Sequence, residues 1–174
     1  RADNTAAGCR AVPVGGARVP CPCFPLFAAL PPVSGPLHVL LGALGPARTV
    51  DVVEFLLNTG TVLLASASPA VLSDAVQAVR PLLYPFECRA PLVCVVPAHL
   101  PETVFCPAGG VFGLLPPTLR ALPLAQLPRA TLVCDLDAGT VALDRRGPDF
   151  VALPRPQRDA LLADLAQARN LFYE

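Results

Sequence analysis

An apolar run at residues 61 to 66, an amphipathic segment and a second apolar run at residues 92 to 96 follow one another in order, and this succession limits the fold more than anything else in the chain. The first run, TVLLAS, shows no alternation, as expected of a strand covered on both faces. Ser68 and Pro69 then offer an N-cap and a first-turn proline. In the helix they begin, Leu72, Ala75, Val76, Val79, Leu82 and Leu83 line one side, while Ser73, Asp74, Gln77 and Arg80 take the other. The helix stops near Tyr84 and Pro85, and LVCVV supplies another buried strand. Strand, helix and strand at this spacing make a βαβ unit, so the two strands should be parallel with a right-handed crossover. The predicted fold class is α/β, a three-layer sandwich with a mostly parallel central sheet flanked by helices.

The rest of the chain fits around that unit. Residues 11 to 23, AVPVGGARVPCPC, read as two short extended pieces about a turn at Gly15 and Gly16, with prolines that confine them to an edge. PLHVLLGAL, residues 36 to 44, is helical in period and stops at Gly45 and Pro46. Thr49 offers the N-cap of a second helix, VDVVEFLL, with Asp51 in its first turn and a close at Asn58, Thr59 and Gly60. A short helix around residues 99 to 105 leads to a third strand, VFGL at 111 to 114. TLVCDLD and TVAL bracket Ala138 and Gly139 and read as a hairpin or a strand with a turn. From Pro156, Leu161, Leu162, Leu165, Ala168 and Phe172 recur at helical spacing, and this apolar face needs cover.

With 174 residues, 53% hydrophobic and 15% charged, the chain is long and apolar enough for one core-rich domain. Its 22 prolines lie mostly between periodic segments and predict stiff connections. Net charge is zero and no Arg run is interleaved with aromatics, which argues against nucleic acid as a partner. No apolar stretch is long enough for a membrane span, and residues 1 to 10 do not make a signal peptide. The seven cysteines are odd in number and form no CxxC pair, so reduced thiols in the cytoplasm fit better than a disulfide framework or a zinc site. Cys21 and Cys23 would share a face of a strand, but no nearby His completes a metal site, and packing is the better reading of both.

No constellation for covalent chemistry stands out. Asp135 and Asp137 form a DxD that suits a divalent metal, and a strand ending in an Asp-containing turn produces the same letters. GGVFG, residues 109 to 113, enters a strand where a phosphate cradle leaves one for a helix, so loop glycines account for it. His38 and His99 sit in no nucleophile motif; His99 could meet Cys88, Cys94 or Cys106 in space, and a loop or partner-contact role suits it better. Arg145, Arg146, Arg155 and Arg158, near Asp144, Asp149 and Asp159, read as a solvated mixed-charge face. No cofactor, no metal and no catalytic residue is expected. Tyr84, Phe86, Glu87, Arg89, His99 and Glu102 flank strand ends, where α/β folds present their sites, and are the candidate partner contacts. Core packing of Tyr84 and Phe86 stays open beside that.

The order of these elements resembles the central region of the DENN domain, the module of a family of Rab guanine-nucleotide exchange factors. A helix pair precedes VVEFLLNTGTVLLAS, similar to the family's Leu-rich helix running into a strand. LLYPF, residues 82 to 86, is similar to the family's own LLYPF; VVPAHLP, 95 to 101, to VLPxxLL; CPAGGVFGL, 106 to 114, to PxPxLxGL; and VCDLDAGTV, 133 to 141, to VDLDxG. The resemblance runs over roughly residues 11 to 170 and is most specific from 82 to 114. It implies an α/β sandwich that binds a Rab-type GTPase and promotes GDP release by reshaping the switch regions, without covalent chemistry. It further implies a tail at 1–10 and a central module at 11–174, a piece lacking the longin-like module and most of the later helical region. The alternative is a non-catalytic scaffold of the same fold, assembled with a longin-like partner.

Overall fold

Gly45 and Pro46 divide the first helical stretch. The structure, a computed structural model, describes residues 9–14, 17–22, 36–84, 86 and 90–173. Helix α1, Leu37–Leu57, is two helices joined at a kink, because Gly45 holds φ 74° and ψ 168° and Pro46 follows it. Proline lacks the amide that would bond back across the kink, yet its fixed φ suits the first turn of a new helix. The predicted helix pair is therefore present, but Thr49 does not cap it. Thr49 is buried, and its Oγ1 donates to the Gly45 carbonyl 2.9 Å away, one turn inside a helix that Pro46 has already begun.

The chain divides into two compact units, residues 1–34 and 35–174. In the first, β1 (Cys9–Val14) and β2 (Ala17–Pro22) pair antiparallel, with Cys9 opposite Pro22 and Val14 opposite Ala17. The predicted turn at Gly15 and Gly16, and Cys23, lie outside the described residues.

The second unit is built on a five-stranded sheet. Its strands are β3 (Thr61–Ala65), β4 (Leu92–Val93), β5 (Gly110–Leu114), β6 (Thr131–Asp135) and β7 (Thr140–Arg145), in the order β4-β5-β3-β6-β7. The first four strands in that order are parallel, and β7 returns antiparallel to β6. All five residues of β3 are buried, as its unbroken apolar run predicts, because it is the central strand with a neighbour on each side and cover on each face. The register sets Val62, Val111 and Leu132 side by side facing α1 and α2 (Pro69–Leu82), whereas Leu63, Phe112 and Val133 face the opposite layer. That second layer holds the one-turn 3-10 segment Pro101–Phe105 and the short helix α3 (Pro116–Ala121), with Val104, Leu122 and Leu127 in its core.

Of the three crossovers between parallel strands, the two that carry α2 and α3 share one hand. From β3, α2 leads past β5 to β4; from β5, α3 leads past β3 to β6, in the other direction and over the other face. Opposite directions on opposite faces give the same handedness, as parallel crossovers require. β3 and β4 are parallel in one sheet, as predicted, with β5 between them. One expectation for this region needs correction. The run at 92 to 96 forms only a two-residue, half-buried edge strand, bracketed by Pro91 and Pro97, with the Val96 amide still donating to the Gly113 carbonyl at 2.8 Å.

Helix α2 starts where predicted. Ser68 caps it through the Val71 amide and Pro69 occupies its first turn. Gly109 and Gly110, both at positive φ, lead directly into β5, and a side chain on Gly109 would collide with the carbonyls of Thr59 and Gly60. These are strand-entry glycines, as the sequence context indicates. The last helix, α4 (Arg155–Tyr173), covers the outer side of α1, with Leu165 packed against Leu37, Leu41 and Val50. α1 is thus enclosed between the sheet and α4, which explains why apolar residues lie on more than one of its sides. Among the described residues, no helix is long and apolar enough to cross a membrane.

Candidate functional site

At the end of α2, Leu83 donates back to the Arg80 carbonyl and the Phe86 amide donates to the Leu83 carbonyl at 2.7 Å. This turn buries Leu83 and turns its neighbours outward. Tyr84 is 52% exposed and Phe86 66% exposed, so neither belongs to the core. The pair borders an apolar groove of about 180 Å³, whose other lining includes Val53 and Leu57 of α1 and Leu153, Gln157 and Leu161 of the α4 region.

Of the other four candidates, the structure describes two. Glu87 and Arg89 lie outside the described residues. His99 and Glu102 are exposed, beside the half-exposed Leu100, in the connection that follows β4. Tyr84 and Phe86 precede β4 in the chain, and His99 and Glu102 follow it. The structure presents two exposed pairs.

The sequence reading missed a buried ionic clasp. Asp51 and Glu54 lie one turn apart on α1, with side chains 4% and 0% exposed. Arg158 of α4 forks across both, reaching Asp51 Oδ1 at 2.9 Å and Glu54 Oε2 at 2.7 Å. Arg146 reaches the same two carboxylates at 3.5 Å and also pairs with Asp144 at 3.1 Å. Its guanidinium sits 5.7 Å from the Phe55 ring centre and 5.0 Å from that of Phe150. The Leu153 amide donates to Glu54 Oε1 at 3.2 Å, and Asn58 exchanges two bonds with the backbone of Val151 at 2.8 and 2.9 Å. Hydrogen bonds to Asp144 raise the pKa of Arg146, and those to Asp51 and then Glu54 raise that of Arg158, so both stay charged. The predicted solvated charge face is corrected on this point: Arg146 and Arg158 bridge to buried acids more than 90 residues earlier in the chain. Acidic residues at Asp51 and Glu54, one turn apart within the apolar run VDVVEFLL, were the available signal.

Asp135 and Asp137 end β6 in the predicted turn. Asp135 Oδ1 accepts the amides of Asp137 and Ala138, both at 2.9 Å, and Gly139 follows at φ 65°. Asp137 accepts Ser66 Oγ and the Ala67 amide, both at 2.7 Å, tying the finish of β3 to the hairpin. The hydrogen bond from Ser66, then that from Ala67, holds the Asp137 carboxyl below its ordinary pKa. A lowered folded pKa means the tether is present above the usual carboxylate pKa and is lost only as pH falls through the lower folded value. Amide NMR should show the Ala67 resonance titrating with a midpoint below about 3.9, the usual Asp value. A midpoint at or above it would contradict the tether.

Among the described residues, no three His, Cys, Asp or Glu side chains gather as metal ligands. Cys94, Cys106 and Cys134 are free thiols, and burial, ahead of the nearby Asp51 charge, pushes the Cys134 thiol up to about 12, which leaves it protonated and unreactive. His99 makes no hydrogen bond to either half-buried thiol among the described residues, and Cys88 lies outside them. His38 is exposed, its ring 6.1 Å from that of Phe172, and its carbonyl accepts the Tyr173 hydroxyl at 2.9 Å. A family model described as the DENN (AEX-3) domain matches residues 15–139. That span runs from the β1–β2 connection to the turn before β7 and includes the groove-lining residues of α1 and α2.

Proposed function

Because this chain belongs to the DENN (AEX-3) domain family, we propose that it is a protein-binding module of the Rab guanine-nucleotide exchange type, which promotes GDP release by gripping the switch regions of a small GTPase. The observation that carries this reading is the exposure of Tyr84 and Phe86 at the mouth of the apolar groove. Exchange of this kind needs no acid, base or nucleophile. It needs tighter binding to the nucleotide-free GTPase than to the GDP form, and the difference in affinity is the whole of the driving force. Aromatic side chains with one apolar face and, for Tyr84, a polar tip suit such a grip. His99 and Glu102, with Glu87 and Arg89, complete the proposed contacts, the exposed pair after β4 meeting either a second part of the GTPase or a longin-like partner. The reading carries a cytoplasmic location with it, since reduced thiols such as Cys94 and Cys106 belong there.

The test is release of a fluorescent GDP analogue from a panel of Rab GTPases by the full-length protein. At least one Rab is expected to release nucleotide faster. The double variant Tyr84→Ala, Phe86→Ala should slow that release by roughly 30-fold, as loss of about 2 kcal/mol of contact predicts. Because both side chains are exposed, its thermal midpoint should match the parent within about 2 °C. Binding of a partner without acceleration on any Rab would sink the exchange reading and leave the non-catalytic scaffold.

A further inference from the structure

The groove has three walls of unequal security. Its floor, Val53 and Leu57, belongs to α1, and one side, Leu82 and Leu83, belongs to α2; both helices are rooted in the core. The facing side consists of Leu153, Gln157 and Leu161, contributed by the linker after β7 and the first turns of α4. This segment's apolar burial is partial: Leu153, Leu161 and Leu162 pack half-buried against the cluster of Leu37, Leu41, Val50 and Leu165. Val151, Ala152, Pro154 and Gln157 are exposed. Its directional anchors are polar: the Arg158 fork on Asp51 and Glu54, the Leu153 amide on Glu54, and the Asn58 bonds to Val151.

We propose that the clasp of Arg146 and Arg158 on Asp51 and Glu54 is a positioning device for the docking groove, holding residues 151 to 161 in place as its far wall. The proposal rests on the groove being the docking site. Buried ion pairs contribute little net stability compared with well-packed apolar residues, but their directional geometry selects one arrangement where apolar contact would tolerate several. Here the two carboxylates sit on the same side of α1, three residues apart, so one guanidinium on α4 satisfies both only at one height and one rotation of α4. Gln157 and Leu161, one residue before and three after Arg158, are carried into the groove by that registration. The planar fork is essential to this: a lysine ammonium keeps the charge but cannot span both carboxylates with the same geometry.

The chain has no tryptophan, so Phe86→Trp installs a single emission reporter at the groove mouth. In that background, Arg158→Gln should shift the emission to the red as the facing wall loosens. Hydrogen exchange should show amides of residues 151 to 161 losing protection by about tenfold or more while those of β3 keep theirs. Arg158→Lys should fall between Arg158→Gln and the parent. Arg155→Gln, which removes an exposed charge of the same helix that has no ion pair among the described residues, should change neither signal. Unchanged emission and protection in Arg158→Gln, or an equal effect from Arg155→Gln, would overturn the proposal. Should Arg158→Gln unfold the whole chain, Arg158→Lys decides, and an unaltered wall there overturns it too. None of these readouts needs a GTPase, so failure of the exchange assay would sink the exchange reading and leave the clasp standing. With a GTPase that binds the parent, Arg158→Gln should weaken the complex about tenfold, although Arg158 itself is not part of the groove lining.

Discussion

Glu54→Ala will lower the free energy of unfolding by about 3 to 5 kcal/mol, the range for breaking a buried ion pair by removing one partner. The carboxylate is fully buried and takes three donors: Arg158 at 2.7 Å, Arg146 at 3.5 Å and the Leu153 amide at 3.2 Å. Removing it leaves a cavity beside Phe55 and Asp51 and strips the linker of its anchor. The two guanidiniums are about one-third exposed, so each can recover some hydration, which places the expected loss at the lower end of that range. Glu54→Gln keeps the shape and one acceptor for the Leu153 amide, and should cost about half as much. Urea unfolding followed by circular dichroism measures both. A loss below about 1 kcal/mol for Glu54→Ala would show that the clasp has the energetics of a surface ion pair.

Gly113→Ala is expected to be as damaging, by a different route. Gly113 lies in β5 beside Leu64 of the central strand, and its open side faces α2 and the edge strand. A methyl group there would collide with the Cys94 carbonyl and approach Leu72 Cβ to 3.3 Å. The first obstacle is backbone, so no rotamer change relieves it. Either the edge strand moves off or β5 shifts against β3, and the bond from the Val96 amide to the Gly113 carbonyl is lost in the first case. The cost is on the order of 3 kcal/mol, near the upper end for overpacking. For a chain of this size that corresponds to a fall in Tm of about 6 to 12 °C by calorimetry. A fall of less than about 2 °C would mean that the edge strand yields without strain.

Much of the architecture was legible because its signals are local. The unbroken apolar run at 61 to 66 marks a strand covered on both faces, and it is the central strand with every residue buried. Ser68 and Pro69 mark a helix start, and the α2 stripe from Leu72 to Val79 is the buried one. Asp135, Asp137 and Gly139 mark the hairpin, which pairs Asp135 with Thr140. The candidate surface was legible only in part. Tyr84 and Phe86 read equally well as core or contact, since an aromatic after a helix stop carries no information about what lies beyond it. The run at 92 to 96 looked buried on composition alone, yet an edge strand has only one neighbour to cover it.

Hydrophobic period, caps and turn residues act within a few positions of one another, and they were enough to give the alternation of helices and strands, the α/β class and the family resemblance. Packing settled the rest: β5 separates β3 from β4, Tyr84 and Phe86 point outward over a groove, and Arg146 and Arg158 close on Asp51 and Glu54. The last of these depends on groups 92 to 107 residues apart, brought within 4 Å by packing. A charge written along the chain says that a partner is needed if it is buried, and only the folded arrangement says whether it is buried and which partner arrives.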